Sequence, residues 1–585
     1  MAYWAEPTGT AGDMRLIRTN LAAARGDLRD CPLGRASKAR PLLRPDPSPP
    51  KAEKPLQDFT LKVLMDALDL IECDRRPVQW VMEQLWRTRG TFGRWRRPPA
   101  HPGLLEWTAG VIPRYLAARE ADQQALRLAK MPPTHPVRDN WIAQDRLRQP
   151  DSRGAVVYEH TAWGRRYVAV DGSMRDLWLL SFGTAKEERP AAEKAAAAYT
   201  AACGTPCTGG WDAPYEPVKD GELHPGRMAR PERVRIVEFG CADGGFTLLL
   251  GGDGGSTHLQ GWDQEETARH FAADTRPVLA HAVDDILAVP GSSCVDCKAL
   301  GGCTALIRTE SLLPLSPPDR PAGRRSISAS DLRTYDECPA KFHLTRQLKL
   351  PSANPERAEI QRGRAVDAWL NERHLARPAG GCRTLPRPTN PSAWSAGEWP
   401  VSGQEAEDGA GMLAQHATVC PLEGLDARER VLVQPQVACY DPEFDLVIIA
   451  VPDLLYTRDG GWVWRETKTS SSRLYEGKPL LRSYPQLALA LVMIAAGALG
   501  GELSRSRVEF ELLHADDLSF EELDPSRPQV VSDAREVLAS LARPWAEDSL
   551  YQAAPGRHCG GCEALQWCQA GRDHLHTSTI PTEDH

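Results

Sequence analysis

Three side chains near residue 460 have the types and spacing that phosphate chemistry needs. In the stretch VPDLLYTRDGGWVWRETKTSSS (451–472), Asp453 closes an apolar run and Asp459-Gly460-Gly461 has the composition of a tight turn. Residues 461–469 then return as a strand. Glu466 and Lys468 are two apart, so a strand sends both side chains to one face. Asp453 can reach that face from the neighbouring strand. Two carboxylates beside one lysine make a site for a hard cation, Mg²⁺ or Mn²⁺, with an ammonium at its edge. Such an ion activates water and neutralises phosphate. A solvated charged hairpin has the same local composition, so the surrounding chain must decide.

The elements that would position these groups can be read on either side. Residues 431–438, 445–451 and 462–469 read as strands, 481–497 as a helix, 507–513 as a strand and 530–541 as a helix. Upstream, Ser326-x-Ser328-x-Ser330-Asp331 is an N-cap setting for a helix running towards Cys338. Residues 361–374 and 404–419 read as two further helices. The expected fold class is α/β, a mixed-sheet core flanked by helices.

Pro452-Asp453 followed by Glu466-x-Lys468 resembles the signature of the PD-(D/E)xK nuclease superfamily, and the order of elements resembles its restriction-endonuclease-like core. SASDLRTYDECPAKFHL resembles the opening helix of RecB-like nucleases. Tyr484-Pro485-Gln486 resembles their glutamine motif, although the tyrosine usual four residues later is Ala490. The histidine usual after Gly363 is replaced by Asp367. The resemblance covers about 326–572. It implies Mg²⁺-dependent (or Mn²⁺-dependent) hydrolysis of DNA, with exonuclease or end-processing action in repair, recombination or defence against foreign DNA. Asp453, Glu466 and the Thr467 carbonyl would hold metal, with Asp367 completing the shell. Lys468 would act on the attacking water, and Gln486 and Tyr484 would position the backbone. The sequence has no GxxxxGK[ST] loop, so the family's usual helicase would be a separate partner.

Cysteine spacing adds a second pattern. Cys559-x2-Cys562-x5-Cys568 closes this region, and Cys338 stands alone in Glu337-Cys338-Pro339. The same spacing recurs in Cys294-x2-Cys297-x5-Cys303, with Asp30-Cys31-Pro32 far upstream. The lone Cys-Pro plus triad resembles the iron–sulfur staple of AddB-type and CRISPR-adaptation nucleases. That implies a [4Fe–4S] cluster on Cys338, Cys559, Cys562 and Cys568, with Zn²⁺ as the alternative. Cys31, Cys294, Cys297 and Cys303 form a possible second cluster. The spare cysteines, among them Cys382, Cys420 and Cys439, read as buried small residues.

The first half, 1–310, therefore reads as an α+β domain and a diverged nuclease-like copy, joined by a Pro-rich linker (311–325) to the nuclease domain (326–585). Where the copy should carry its Glu-x-Lys strand it has LWLLSFGTA, which lacks the acid and the lysine. Within it, VRIVEFGCADGG resembles the first motif of methyltransferases. The following FTLLLGGDGGST reads as strand and turn where a helix is needed, which favours a hairpin.

Composition sets the outer bounds. A net charge of −8 gives no global basic footprint, so any DNA-binding surface is local. The densest basic-aromatic run is RTRGTFGRWRR (87–97), read as a solvated loop. No apolar stretch has signal-peptide or membrane-spanning length, so a cytoplasmic protein without membrane contact is expected. A non-catalytic DNA-binding or scaffold subunit of a helicase–nuclease complex is the alternative reading, with the methyltransferase a minor one.

Overall fold

The computed structural model describes residues 4–578 except 27–29, 50, 51, 53, 149–154, 210, 211, 220–229, 251–260, 317–322, 353–355, 472–476 and 478. The middle of the Pro-rich linker and the turn after Leu250 therefore lie outside the described residues. The fold is mixed α/β, with a five-stranded sheet in the C-terminal half.

That sheet runs Val431–Val433, Leu454–Arg458, Gly461–Thr469, Arg507–Leu513, Leu518–Leu523. Successive pairs are antiparallel, antiparallel, parallel and antiparallel. The central strand, Gly461–Thr469, is buried over its first six residues, as a strand covered on both faces should be. Its Trp462 and Trp464 pack under helix Pro485–Ala495, which supplies the middle of the largest core. Helix Pro528–Glu547 closes this layer through Leu538, Leu541 and Trp545. On the opposite face lie helices Ala358–Ala376 and Gln404–Thr418.

The stretch 431–438, expected as one strand, is two. Val431–Val433 joins the five-stranded sheet, whereas Val437–Asp441 pairs with Leu446–Ala450 in a second sheet. Gln434 at φ +45° and Pro435 break the run between them. Arg325–Ser328 pairs in parallel with Leu446–Ala450, and Ser328 caps the helix Ala329–Glu337 through a reciprocal bond with Asp331.

The first half contains a sheet Thr134–Val137, Arg165–Ala169, Met174–Ser181, Arg233–Gly240, Phe246–Leu248, with the same succession of pairings. Helix Ala191–Cys203 lies between its third and fourth strands in sequence, as Pro485–Ala495 does in the other half. A parallel strand, Leu16–Thr19, pairs with a hairpin strand, Ala155–Thr161. Arg233–Gly240 turns directly into the antiparallel Phe246–Leu248, so the glycine-rich motif there is a hairpin without the helix a nucleotide cofactor needs.

The halves share cores in both directions. Cys562, Ala564 and Trp567 pack with Leu104, Trp107 and Val111 of the long helix Pro102–Leu128. Cys294, Cys297 and Leu300 pack with Ala438, Tyr440 and Val447 of the C-terminal half. Among the described residues no helix is long and apolar enough to cross a membrane.

Candidate functional site

Asp453, Glu466 and Lys468 meet at the C-terminal end of the central strand. Leu454 lies opposite Arg465 in the hairpin, which sets Asp453 beside Glu466 across the strands. Lys468 Nζ lies 2.8 Å from Asp453 Oδ2 and 3.1 Å from Glu466 Oε2. The Thr467 amide donates to Asp453 Oδ2 at 2.7 Å, and Lys468 Nζ donates to the Thr467 carbonyl at 3.0 Å. Trp464 Nε1 donates to Glu466 Oε1 at 3.0 Å, fixing that carboxylate from below. The expected convergence on one face is therefore the observed one.

Asp367 reaches the same place from helix Ala358–Ala376. Gln434 Nε2 donates to both of its oxygens, at 3.0 and 2.8 Å, and Asn371 donates at 3.2 Å. The Gln434 amide also donates to the Asp453 carbonyl at 3.3 Å, so one residue ties the two acids' segments together. Gly363, one turn before Asp367, lets the helix approach the central strand. A Cβ there would stand 3.0 Å from Thr469 Oγ1.

The electrostatics are those of a site short of positive charge. Burial, then the nearby Asp453 charge, pushes the Glu466 carboxyl up to about 7, against the pull of Lys468. The same two causes raise Asp367, opposed by Gln434 and Lys468. Burial works against the Lys468 ammonium, but Asp453 and Glu466 outweigh it and hold its pKa above the ordinary value. Three carboxylates face one ammonium, and the donors are all oxygen. That set fits a hard divalent ion, which would be held by Asp453, Glu466 and Asp367. The Tyr484 ring lies tilted by 40° against Phe510, centroids 4.4 Å apart; Phe510 is the residue paired with Glu466 on the next strand, and Gln486 follows in the first turn of its helix. Both thus stand on the Glu466 side of the sheet, and no bond from Gln486 to the acids is observed among the described contacts.

Both cysteine quartets assemble. Cys338, Cys559, Cys562 and Cys568 line one cavity. Cys338 caps the short helix Pro339–Phe342, and the triad lies on the 3₁₀ turns Arg557–Gly561 and Leu565–Trp567. Backbone amides of Ala554 and Gly556 donate to Cys338 Sγ and Cys559 Sγ at 3.5 and 3.4 Å. Cys31, Cys294, Cys297 and Cys303 repeat the arrangement. Val289 and Gly291 donate to Cys31 Sγ and Cys294 Sγ at 3.3 and 3.4 Å. In each case the donors lie five and three residues before the first cysteine of the triad. His558 lines the C-terminal cavity, and Trp567 packs into the seam between halves.

A third constellation escaped the sequence reading. His374, Cys382, His416 and Cys420 are all buried, with one ligand atom of each lying within 4.8 Å of the others. Cys382 and Cys420, expected as space-filling residues, are part of it. Only His416-x3-Cys420 is a local signal; the other two come from separate elements. The basic-aromatic run 87–97 is mostly surface: Trp95 is exposed, while Arg94 and Arg97 are engaged by Asp66.

No curated protein matches the chain. Residues 326–569, the segment from the parallel edge strand through the cysteine triad, match the PD-(D/E)XK nuclease superfamily and form a domain of that superfamily.

Proposed function

We propose that this protein is a metal-dependent deoxyribonuclease whose single active site lies at Asp453, Glu466 and Lys468, and that its first half is a nuclease-like copy without that site. The observation that carries the reading is the meeting of both carboxylates on one lysine amine at the end of a sheet strand. A bound Mg²⁺ or Mn²⁺ would polarise the scissile phosphate and lower the pKa of water. Asp453, Glu466 and Asp367 hold the charge that such an ion balances. Lys468, kept protonated by its two neighbours, donates to phosphate oxygen or orients the attacking water. Gln486 and Tyr484 stand where a DNA backbone crossing the strand end would pass. DNA is the substrate class, and duplex opening by a helicase partner fits end processing in repair, recombination or defence.

Each cysteine quartet would hold a [4Fe–4S] cluster, with Zn²⁺ as the alternative ion. The amide-to-sulfur bonds are those that stabilise cluster thiolates. The repeated sheet order and the repeated quartet support descent of the two halves from one unit.

The test is cleavage of single-stranded and blunt duplex DNA by purified protein with Mg²⁺ or EDTA, alongside Lys468→Ala. Cleavage that needs Mg²⁺ and disappears in the variant supports the enzyme. DNA binding without cleavage under all divalent ions supports the scaffold reading instead.

A further inference from the structure

We propose that His374, Cys382, His416 and Cys420 bind one zinc ion, structural in role, that locks the two outer helices of the nuclease domain to its central sheet. The four come from four segments: helix Ala358–Ala376, the 3₁₀ turn Gly381–Thr384, helix Gln404–Thr418 and the loop after it. Their relative exposures are 4%, 4%, 0% and 5%. Nothing in a protein interior draws two imidazoles and two thiols together unless something offsets their desolvation.

The geometry fits zinc. His374 Nε2 and His416 Nε2 face each other at 3.2 Å. Two nitrogens on a tetrahedral ion at 2.0–2.1 Å stand about 3.3 Å apart. The tautomer of one ring is set by its neighbours. Both oxygens of Glu511 lie 2.9 and 3.0 Å from His416 Nδ1, so that nitrogen carries the proton and Nε2 turns its lone pair to the group. A carboxylate behind a metal-bound histidine is the usual support of a zinc ligand. The Cys382 amide donates to Cys420 Sγ at 3.4 Å. Gly381, at φ +61°, carries no Cβ, which would stand 3.1 Å from the same sulfur. Two thiolates and two neutral imidazoles around Zn²⁺ sum to zero charge, the state that full burial favours.

The site also reaches the central strand. Glu511 accepts from Thr467 Oγ1 at 3.1 Å and lies 3.7 Å from Arg465 Nη1. His374 stands two turns beyond Asp367 on one helix. The zinc site does not depend on the nuclease reading, since it concerns metal content alone.

The experiment uses the full chain purified without chelator. Metal analysis should find about one zinc per chain beside the iron, and zinc K-edge absorption should show a shell of two nitrogens and two sulfurs. In a Cys382→Ser/Cys420→Ser variant zinc should fall to below about a tenth of an equivalent with iron unchanged, and in Cys559→Ser/Cys562→Ser the zinc should remain. Wild-type protein without zinc, a Cys382–Cys420 disulfide, or a shell of four sulfurs overturns the proposal. The absorption measurement decides even if the variants do not fold.

Discussion

The sheet spanning 134–248 and the sheet spanning 431–523 share five strands, one succession of pairings and a helix before the parallel return strand. They differ where chemistry would sit. On the face packed against its helix the strand Met174–Ser181 carries Leu177 and Leu179 and no acid–lysine pair, and Gly164 stands across the hairpin from Leu179 as Asp453 stands across from Glu466. A Cβ at Gly164 would stand 2.4 Å from the Trp178 carbonyl, so no aspartate fits there. Glu238, paired with Leu179 on the next strand, is engaged: Arg189 binds both its oxygens, at 2.7 and 3.0 Å, and Ser181 Oγ donates to it. Packing in a sheet depends on apolar alternation, which survives without the acids. Catalysis depends on leaving charge uncompensated, whereas the Glu238 carboxylate is fully paired. Cysteines of the same spacing, by contrast, come together in both halves.

The sharpest way to break this contrast is Lys468→Ala. It should lower cleavage by about 10³-fold, measured on end-labelled duplex, while circular dichroism and DNA binding stay near wild type. Residual activity close to wild type would move the active site elsewhere, the first half included. Placing an acid in the silent half, Leu179→Glu, should confer no metal-dependent cleavage on a Lys468→Ala background. It should cost at least about 2 kcal/mol in denaturant melts, because that side chain is only 2% exposed. A tolerated glutamate would mean the first half still has room for metal.

The two quartets should respond alike. Cys562→Ser or Cys297→Ser alone should each remove about half of the iron and part of the brown colour. Loss from one only would show that the halves have diverged here too. The seam between halves should loosen in acid. His343 stacks on Tyr551 and faces His101, Asp548 and Asp58, and burial pushes its pKa down to about 4. His101 is also depressed, first by burial; its Nδ1 accepts from Gly103, so it holds Tyr551's carbonyl as a neutral ring. A histidine depressed in the fold stabilises it above its free pKa near 6.5 and stops doing so as pH falls towards 4. The expected loss is on the order of 3 kcal/mol for His343, read as a falling melting temperature between pH 6.5 and 4. His343→Leu should flatten that fall. The smallest effect is expected from Gln486→Ala, about a ten-fold drop in cleavage with weaker DNA binding.

Much of the site was legible because its signal is local. Alternation along Glu466-x-Lys468 and the Asp459-Gly460 turn fix who faces whom within twenty residues. Spacing likewise marked the cysteine triads, since their 3₁₀ turns are short and self-contained. What escaped depends on distant segments. Two sheets share residues 431–441 because of a break at Gln434-Pro435, and the edge strand Leu518–Leu523 is half exposed and too polar to stand out. The His374 group needs four separate elements to become visible.

The reciprocal seam bears on how this protein can be handled. Leu344, Leu348, Leu350 and Trp567 belong to the matched nuclease segment but are buried against residues below 130. A fragment trimmed to the superfamily segment would lay that stripe open to water, along with the face of Tyr440 and Val447 that Cys294 and Leu300 cover. Such a fragment should clump unless its missing half is co-expressed beside it, so dissection of this molecule by truncation calls for two complementing pieces.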